Sequence, residues 1–368
     1  MSRVLVTGVR APVAVDLIRA LISQGHEVHA ADVCHSAVVD CLPVSSFTRY
    51  ASPVFAPERF RINALAIAEH MDAVICLCEE IFHWAKLEIP LFAADRSLLI
   101  KLHSKLDFIR MAGDLGLNIP TTHYLGDARD DMTKAVLKPE FSRFGTRVLI
   151  RPDERTVATL PHDPGNPWLI QSHIHGEDLS FYAIARDGRL TAFSAYRSAW
   201  RTRGGASYYI DPVEADLSQR VESIARTLIA GLSLTGQIAC DLRQDRDGRL
   251  WLLECNPRAT SGLHLLAHDP AALTAAFIGN GPVVRTDGCP AYVGPAMRAY
   301  GWPQAIREGR LRTWRADMSR GRDVLKGLTV PALRDTLGHG LRAMRRRQRL
   351  AAGMTADIEY NGGHDEPA

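Results

Sequence analysis

The stretch LWLLECNPRATSG sets an acid, an amide and a guanidinium at every second position, as Glu254, Asn256 and Arg258. Residues two apart on an extended chain share a face, so these three side chains project together. A second acid, Asp241, lies upstream in GQIACDLRQDRDGRLWLLECNPR, and Asp247-Gly248 between the two apolar runs signals a hairpin turn. Antiparallel pairing about that turn puts Asp241 beside Glu254. Facing carboxylates repel, and a divalent cation relieves the repulsion. Two carboxylates and an amide oxygen suit Mg²⁺, which normally completes its shell with phosphate oxygens and waters. Arg258, on the same side of an extended chain, can grip a phosphate or carboxylate with a fork that lysine does not reproduce. Taken alone, the same residues also read as a solvated hairpin with incidental acids.

Two further places could bind anions. KAVLKPEFSRFGTRVLI reads as a strand ending at Lys138-Pro139, a short loop with Ser142 and Gly145, and another strand. An ammonium beside a small loop with free backbone N–H groups can clamp phosphate. The pattern is not a Walker A motif, and lysines before turns are common, so by itself it is weak. AYRSAWRTRGGASYYI places Arg197, Arg201 and Arg203 next to Gly204-Gly205. This is either an anion-recognising loop or an exposed basic one.

The elements that must carry these residues follow from the apolar periodicity. RVLVTG is a strand, followed by an amphipathic helix, a Gly turn and a second strand ending at Asp32. This βαβ opening lacks G-x-G-x-x-G, since Val9, Arg10, Ala11 and Pro12 follow Gly8, which disfavours a dinucleotide site. A helix from about Pro57 to His70 and the strand DAVICLC extend it into a parallel sheet flanked by helices. LLIKLHSKLDFIRMAGDLGLNIP reads as one helix closed by Gly116 and stopped by Pro120. A further hairpin turns at Asp187-Gly188.

Composition narrows the class. The 368 residues, 46% hydrophobic and 23% charged with a formal charge of +3, fit a soluble enzyme of more than one domain. No apolar run is long enough to span a membrane, and MSRVLVTG enters a strand without the pattern of a signal peptide, so we expect a cytoplasmic protein. Seven cysteines point to reduced thiols, and the lone C-x-C of Cys76 and Cys78 to core residues on one strand face, not zinc. After Cys289 the chain is rich in arginine, with Arg342, Arg345, Arg346 and Arg349 clustering on a helix face. Few aromatics interleave them, so a solvated or interdomain helix is favoured and neither nucleic acid nor membrane is expected as a partner. The closing TADIEYNGGHDEPA is expected to fray.

The ordered set SKLDFIRMAGDLGLNIP, AVLKPEFSRFGT, WLIQSHIHGEDLS and GQIACDLRQDRDGRLWLLECNPRATSG resembles the ATP-grasp superfamily, especially its carbamoyl-phosphate-synthase-like and carboxylate-amine ligase branch. The resemblance runs from about residue 1 to about residue 285. It implies an α/β and α+β chain: a preATP-grasp, Rossmann-like parallel sheet over 1–98, ATP-grasp lobes over 99–168 and 169–288, and a basic extension over 289–368.

Residue by residue, the resemblance assigns Lys105 and Lys138 to the ATP phosphates and Ser142 to Thr146, with Gly145, to the lid above them. Gln171, Ser172 and Ile174 fall at the adenine edge, where Gln171 replaces a common Glu. Asp178 falls at the ribose hydroxyls. Asp241, Glu254 and Asn256 match the Mg²⁺ ligands, a site Mn²⁺ could also fill, and Arg258 the residue that steadies the transferring phosphoryl group. Arg203 is a candidate for the substrate carboxylate. No role is implied for His173, His175 or His264, which are expected at the surface or on a pocket wall.

The implied reaction activates a small-molecule carboxylate as an acyl-phosphate and joins it to an amine, with ADP and phosphate as products. The alternatives are a non-catalytic ATP-binding regulatory protein, a carboxylate kinase and a carboxylase. No biotin-carrier segment or second ATP-grasp copy is present, and a homo-oligomer is left open.

Overall fold

The computed structural model describes residues 1–127, 131–142, 147–202, 207–345 and 355–362. The first sheet is all-parallel, in the order β3-β2-β1-β4: β1 (Arg3–Thr7), β2 (Glu27–Asp32), β3 (Ser46–Arg49) and β4 (Ala73–Cys76). In β1, Val4, Leu5 and Val6 are all fully buried, as a central parallel strand covered on both faces requires. The covering helices include α1 (Val13–Ser23) and α2 (Pro57–Ala68). β4 stops at Cys76, so Cys78 lies beyond the strand and the two thiols do not share a strand face; both are free, Cys76 buried and Cys78 partly so.

Gly8, at the end of β1, has φ +67°, and a Cβ there would lie 2.3 Å from Glu80 Oε1. The glycine thus makes room for a buried carboxylate. Glu80 begins the approach to a short helix, α3 (Ile81–Trp84).

The long helix expected before Pro120 is two helices, α4 (Arg96–His103) and α5 (Lys105–Asp114). Ser104 breaks them: it adopts ψ 117° and its hydroxyl accepts a hydrogen bond from Asp107 N. A serine N-cap outweighed the continuous apolar periodicity. The break makes Lys105 the first residue of α5.

Next comes a small antiparallel sheet, in the order β5-β8-β6-β7: β5 (Thr122–Tyr124), β6 (Ala135–Pro139), β7 (Leu149–Ile150) and β8 (Trp168–Ser172). The large sheet runs β13-β12-β9-β10-β11-β15-β16, with β14 paired to β10. Its strands are β9 (Glu177–Arg186), β10 (Arg189–Arg201), β11 (Ser207–Pro212), β12 (Gly236–Gln244), β13 (Leu250–Asn256), β14 (Val284–Arg285), β15 (Ala291–Tyr292) and β16 (Arg322–Asp323).

Both faces of this sheet are covered. Along β9, Phe181, Ala183 and Ala185 join a core with Val221 and Leu228 of the helix Ala215–Gly231. The alternate residues Tyr182 and Ile184 join the core that contains Val6 and Leu17 of the first sheet and α1. The two-residue period of one strand therefore welds the N-terminal layer to the large sheet.

The C-terminal part is built into this body. It supplies β15, β16 and a helix, Thr329–Arg345, that leaves Leu337, Leu341 and Met344 exposed. Arg346 and Arg349 lie outside the described residues. The tail is not frayed where it is described: Ile358 is fully buried and Tyr360 is 9% exposed. Tyr360 joins the core of the N-terminal layer, a seat that no local pattern announces. His264 is likewise not at the surface. It is buried in a polar cluster in which its Nδ1 lies 2.6 Å from Asp16 Oδ2 while Arg322 holds Asp16 Oδ1 at 3.0 Å. Among the described residues no helix is long and apolar enough to cross a membrane.

Candidate active site

The β12–β13 hairpin places Asp241 directly opposite Glu254. The register slips by one residue just after this pair, since Leu242 faces Leu252. Such a bulge redirects the strand. Leu253 is the extra residue, and its carbonyl accepts a hydrogen bond from Lys138 Nζ at 3.1 Å. Lys138 comes from the end of β6 and Lys105 from the start of α5. Their ammonium nitrogens each lie 3.8 Å from Glu254 Oε2. Lys105 also donates to the carbonyls of Ser142 at 3.0 Å and Glu140 at 3.3 Å.

The charges in this cluster act on one another. Burial pushes the Asp241 carboxyl up to about 7, with the facing Glu254 adding to the rise and Ser180, donating to Asp241 Oδ1 at 2.6 Å, opposing it. Burial also works to raise Glu254, but Lys105 and Lys138 outweigh it and hold Glu254 below the ordinary value. Lys138 is pushed down to about 8 by burial, against the pull of Glu254.

Asn256 ends β13, and its Oδ1 accepts from Arg258 Nη2 at 3.3 Å. The same Nη2 lies 3.5 Å from Glu79 Oε1, which ties the N-terminal layer to the hairpin. Among the described residues no group of three His, Cys, Asp or Glu could hold a metal. The donor set fits Mg²⁺ nonetheless, because that ion is commonly held by one or two carboxylates and completed by substrate phosphates.

A second group of expected residues gathers at the junction between the small and large sheets. Gln171 is buried in β8, and its amide donates to Thr122 Oγ1 at 3.0 Å. Ser172 is exposed and its N–H is bonded to the Thr121 carbonyl. The Ile174 carbonyl accepts from Arg243 Nη1 at 2.8 Å. Arg243 also donates through Nε to Asp178 Oδ1 at 2.9 Å, and Arg201 Nη1 lies 3.4 Å from Asp178 Oδ2. Gly145 and Arg203 lie outside the described residues; Ser142 is described, at the edge of the cluster around Glu254. Hence Lys105, Lys138, Asp241, Glu254, Asn256 and Arg258 form one cluster, and Gln171, Ser172, Ile174 and Asp178 a neighbouring one.

The family model described as ATP-grasp domain matches residues 102–262, a span that contains both clusters. That stretch is similar to an ATP-grasp domain. Solved structures extend the likeness of fold on either side of it. N5-carboxyaminoimidazole synthetase from Staphylococcus aureus complexed with ADP aligns with a TM-score of 0.63 and 11% identity, over 83% of this chain and 86% of that one. L-amino acid ligase from Bacillus licheniformis aligns at 0.58 and 14% identity, over 76% and 74%. Biotin carboxylase from Campylobacter jejuni aligns at 0.59 and 12% identity, over 76% and 72%. No curated protein matches the sequence.

Several residues at and behind the two clusters escaped the sequence reading. Arg243 had a signal: it pairs with Asp178 in the β12–β9 register, a cross-strand ion pair of opposite charges. Ser180 likewise faces Asp241 across β9 and β12. Glu79 and Glu80 had none, because they arrive from the N-terminal layer. Glu80 is fully buried, accepts from Thr7 Oγ1 at 2.9 Å, and is raised to about 7 by burial and by Asp32. Arg10, beside it at the ends of β1 and β2, is held between Asp32 and Asp357 of the tail.

Proposed function

We propose that the protein is an ATP- and Mg²⁺-dependent ligase that activates a small-molecule carboxylate as an acyl-phosphate and couples it to an amine, releasing ADP and phosphate. The observation that carries this reading is the cluster itself: two buried lysines converge on one oxygen of an acid pair, within the stretch similar to an ATP-grasp domain. The structural relatives include a ligase and a synthetase of small molecules.

In this reading Gln171, Ser172 and Ile174 hold the adenine edge and Asp178 the ribose. Lys105 and Lys138, with Ser142 and Gly145, hold the phosphates. Asp241, Glu254 and Asn256 hold Mg²⁺, which when bound neutralises phosphate charge and fixes the phosphoryl group for in-line transfer. A substrate carboxylate oxygen forms a bond to the γ-phosphorus as the bond to the β–γ bridging oxygen breaks, and ADP leaves. An amine nitrogen then forms the C–N bond, the acyl C–O bond breaks to release phosphate, and the nitrogen gives up one proton as the amide forms. Arg258 steadies the transferring group, and Arg203 takes the substrate carboxylate. Such chemistry rests on positioning and charge neutralisation, so no protein nucleophile is called for.

The test is to incubate the protein with ATP, Mg²⁺ and pooled amino acids and small carboxylates, and to quantify ADP, AMP and phosphate against Glu254→Gln. Substrate-dependent ADP and phosphate that vanish in the variant support the reading. AMP with pyrophosphate would overturn it.

A further inference from the structure

The described end of the chain, Asp357 to Gly362, returns to the phosphate-side cluster, and the ligase reading gives it no task. It is anchored at three places on the N-terminal layer. Asp357 Oδ1 lies 2.6 Å from Arg10 Nη1 in a buried ion pair, Ser52 Oγ donates to the Asp357 carbonyl at 2.6 Å, and His83 Nε2 lies 3.1 Å from the Glu359 carbonyl. Beyond these anchors the segment reaches both groups of positive charge in the site.

One contact leads to Arg258. The Tyr360 peptide N–H points at Glu79 Oε2, 3.4 Å away, while the other oxygen of Glu79 faces Arg258 Nη2 at 3.5 Å. The other leads to Lys105. The two carbonyls that receive the Lys105 ammonium belong to Glu140 and Ser142, so their directions are set by the residue between them, Phe141. Its backbone is held on one side by Asn166, which accepts from Phe141 N and donates to Phe141 O, both at 2.9 Å. Its ring is held by the tail. Tyr360 meets it edge-on, with centroids 5.8 Å apart, and Gly362 lies so close that a Cβ there would be 2.3 Å from Phe141 Cδ2. Tyr360 is itself fixed by stacking on Phe82 at 5.0 Å.

We propose that the segment Asp357–Gly362 is a working part of the phosphate site, with Tyr360 and Gly362 as positioning residues. They hold the Glu140–Ser142 strip that seats Lys105, and the Tyr360 peptide holds Glu79 against Arg258. Neither residue touches nucleotide. The contacts named above run to the N-terminal layer and to Phe141, on the side of Lys105 and Arg258, so the two halves of a nucleotide should respond differently to the loss of the segment.

The proposal rests on the nucleotide reading, and the experiment separates the two. Affinities for ADP and for adenosine are measured by titration calorimetry on the full chain, on Tyr360→Ala and on Tyr360→Phe. Tyr360→Ala is expected to weaken ADP about tenfold, the effect of misplacing one charge-assisted contact, and to leave adenosine unchanged. Tyr360→Phe, which keeps the ring, is expected to retain ADP affinity. Gly362→Ala, which crowds Phe141 from the other end of the contact, should show the same loss confined to ADP and stands in should Tyr360→Ala fail to fold. Equal weakening of ADP and adenosine, or no weakening of ADP, overturns the proposal while leaving the nucleotide reading in place. A wild-type chain that binds adenosine and ADP equally has no phosphate site, and both fall.

Discussion

Lys105 and Lys138 come from a helix start and a strand end, yet both place Nζ 3.8 Å from the same atom, Glu254 Oε2. Two ammonium groups converging on one carboxylate oxygen repel each other, and the arrangement persists because each also donates to backbone carbonyls: Leu253 for Lys138, and Glu140 and Ser142 for Lys105. Under the proposed function, Glu254 would help to hold Mg²⁺ and the two ammonium groups would turn to the phosphates.

Lys138→Ala removes one of the two ammonium groups and leaves the adenine-side cluster untouched. ADP affinity should fall about 10- to 100-fold, as expected for a buried charge-assisted contact, with adenosine affinity unchanged. Because Lys138 is pushed down to about 8, wild-type ADP affinity measured without metal should also weaken as pH rises past that value, and the variant should lose this step. A pH-independent difference between the two proteins would exclude Lys138 as the titrating phosphate ligand.

Asp241 predicts a pH dependence of the opposite sense for the metal. Its folded value is raised to about 7, so between the ordinary carboxylate range and 7 the folded state holds a proton that the unfolded state has released. The sign follows: this group's contribution to stability is fully present below the ordinary range and is lost as pH rises through about 7. A cation that binds the ionised pair must displace the proton below that pH and need not above it. The gain in Tm given by Mg²⁺ with ADP, over ADP alone, should therefore grow from about pH 6 to about pH 8. Asp241→Asn should flatten the curve, and a flat wild-type curve would argue against Asp241 as a ligand.

Arg258→Lys keeps the charge and loses the planar guanidinium whose Nη2 bridges Asn256 and Glu79. Turnover with the substrates found by pooled assay should drop about 100- to 1000-fold, the usual cost of removing one donor aimed at developing charge, with ADP affinity changed by less than about threefold. A variant that lost ADP affinity in proportion would make Arg258 a ground-state phosphate ligand.

Asp16 tests the weld between layers, away from the chemistry. Its buried carboxylate meets His264 and Arg322, which outweigh burial and hold it below the ordinary value. Asp16→Ala leaves the other two groups without their partner and should cost about 3–5 kcal/mol in urea unfolding. The Asp16 contribution is present above the ordinary carboxylate range and is lost as pH falls through its lowered folded value, so the gap between wild type and variant should narrow only in strong acid. A cost below about 1 kcal/mol would mean the cluster is no weld.

The sequence by itself determined what short-range geometry determines. An Asp-Gly turn announces a hairpin and side chains alternate with a period of two, so the meeting of Asp241 with Glu254, with Asn256 following, was legible in one segment, whereas the bulge at Leu253 that sets the two acids directly opposite was not. The parallel N-terminal sheet was legible for the same reason, from βαβ periodicity. Ser104 carried a readable N-cap signal that the apolar pattern of its neighbours masked. Tertiary structure alone decided which elements meet. That Lys105 joins Lys138 at one oxygen, that Glu79 reaches Arg258, that Asp16 closes on His264, and that Tyr360 lies against Phe141 are contacts between elements far apart in the chain. Each depends on how the faces of separate layers bury one another, and the order of residues within any single element does not encode that.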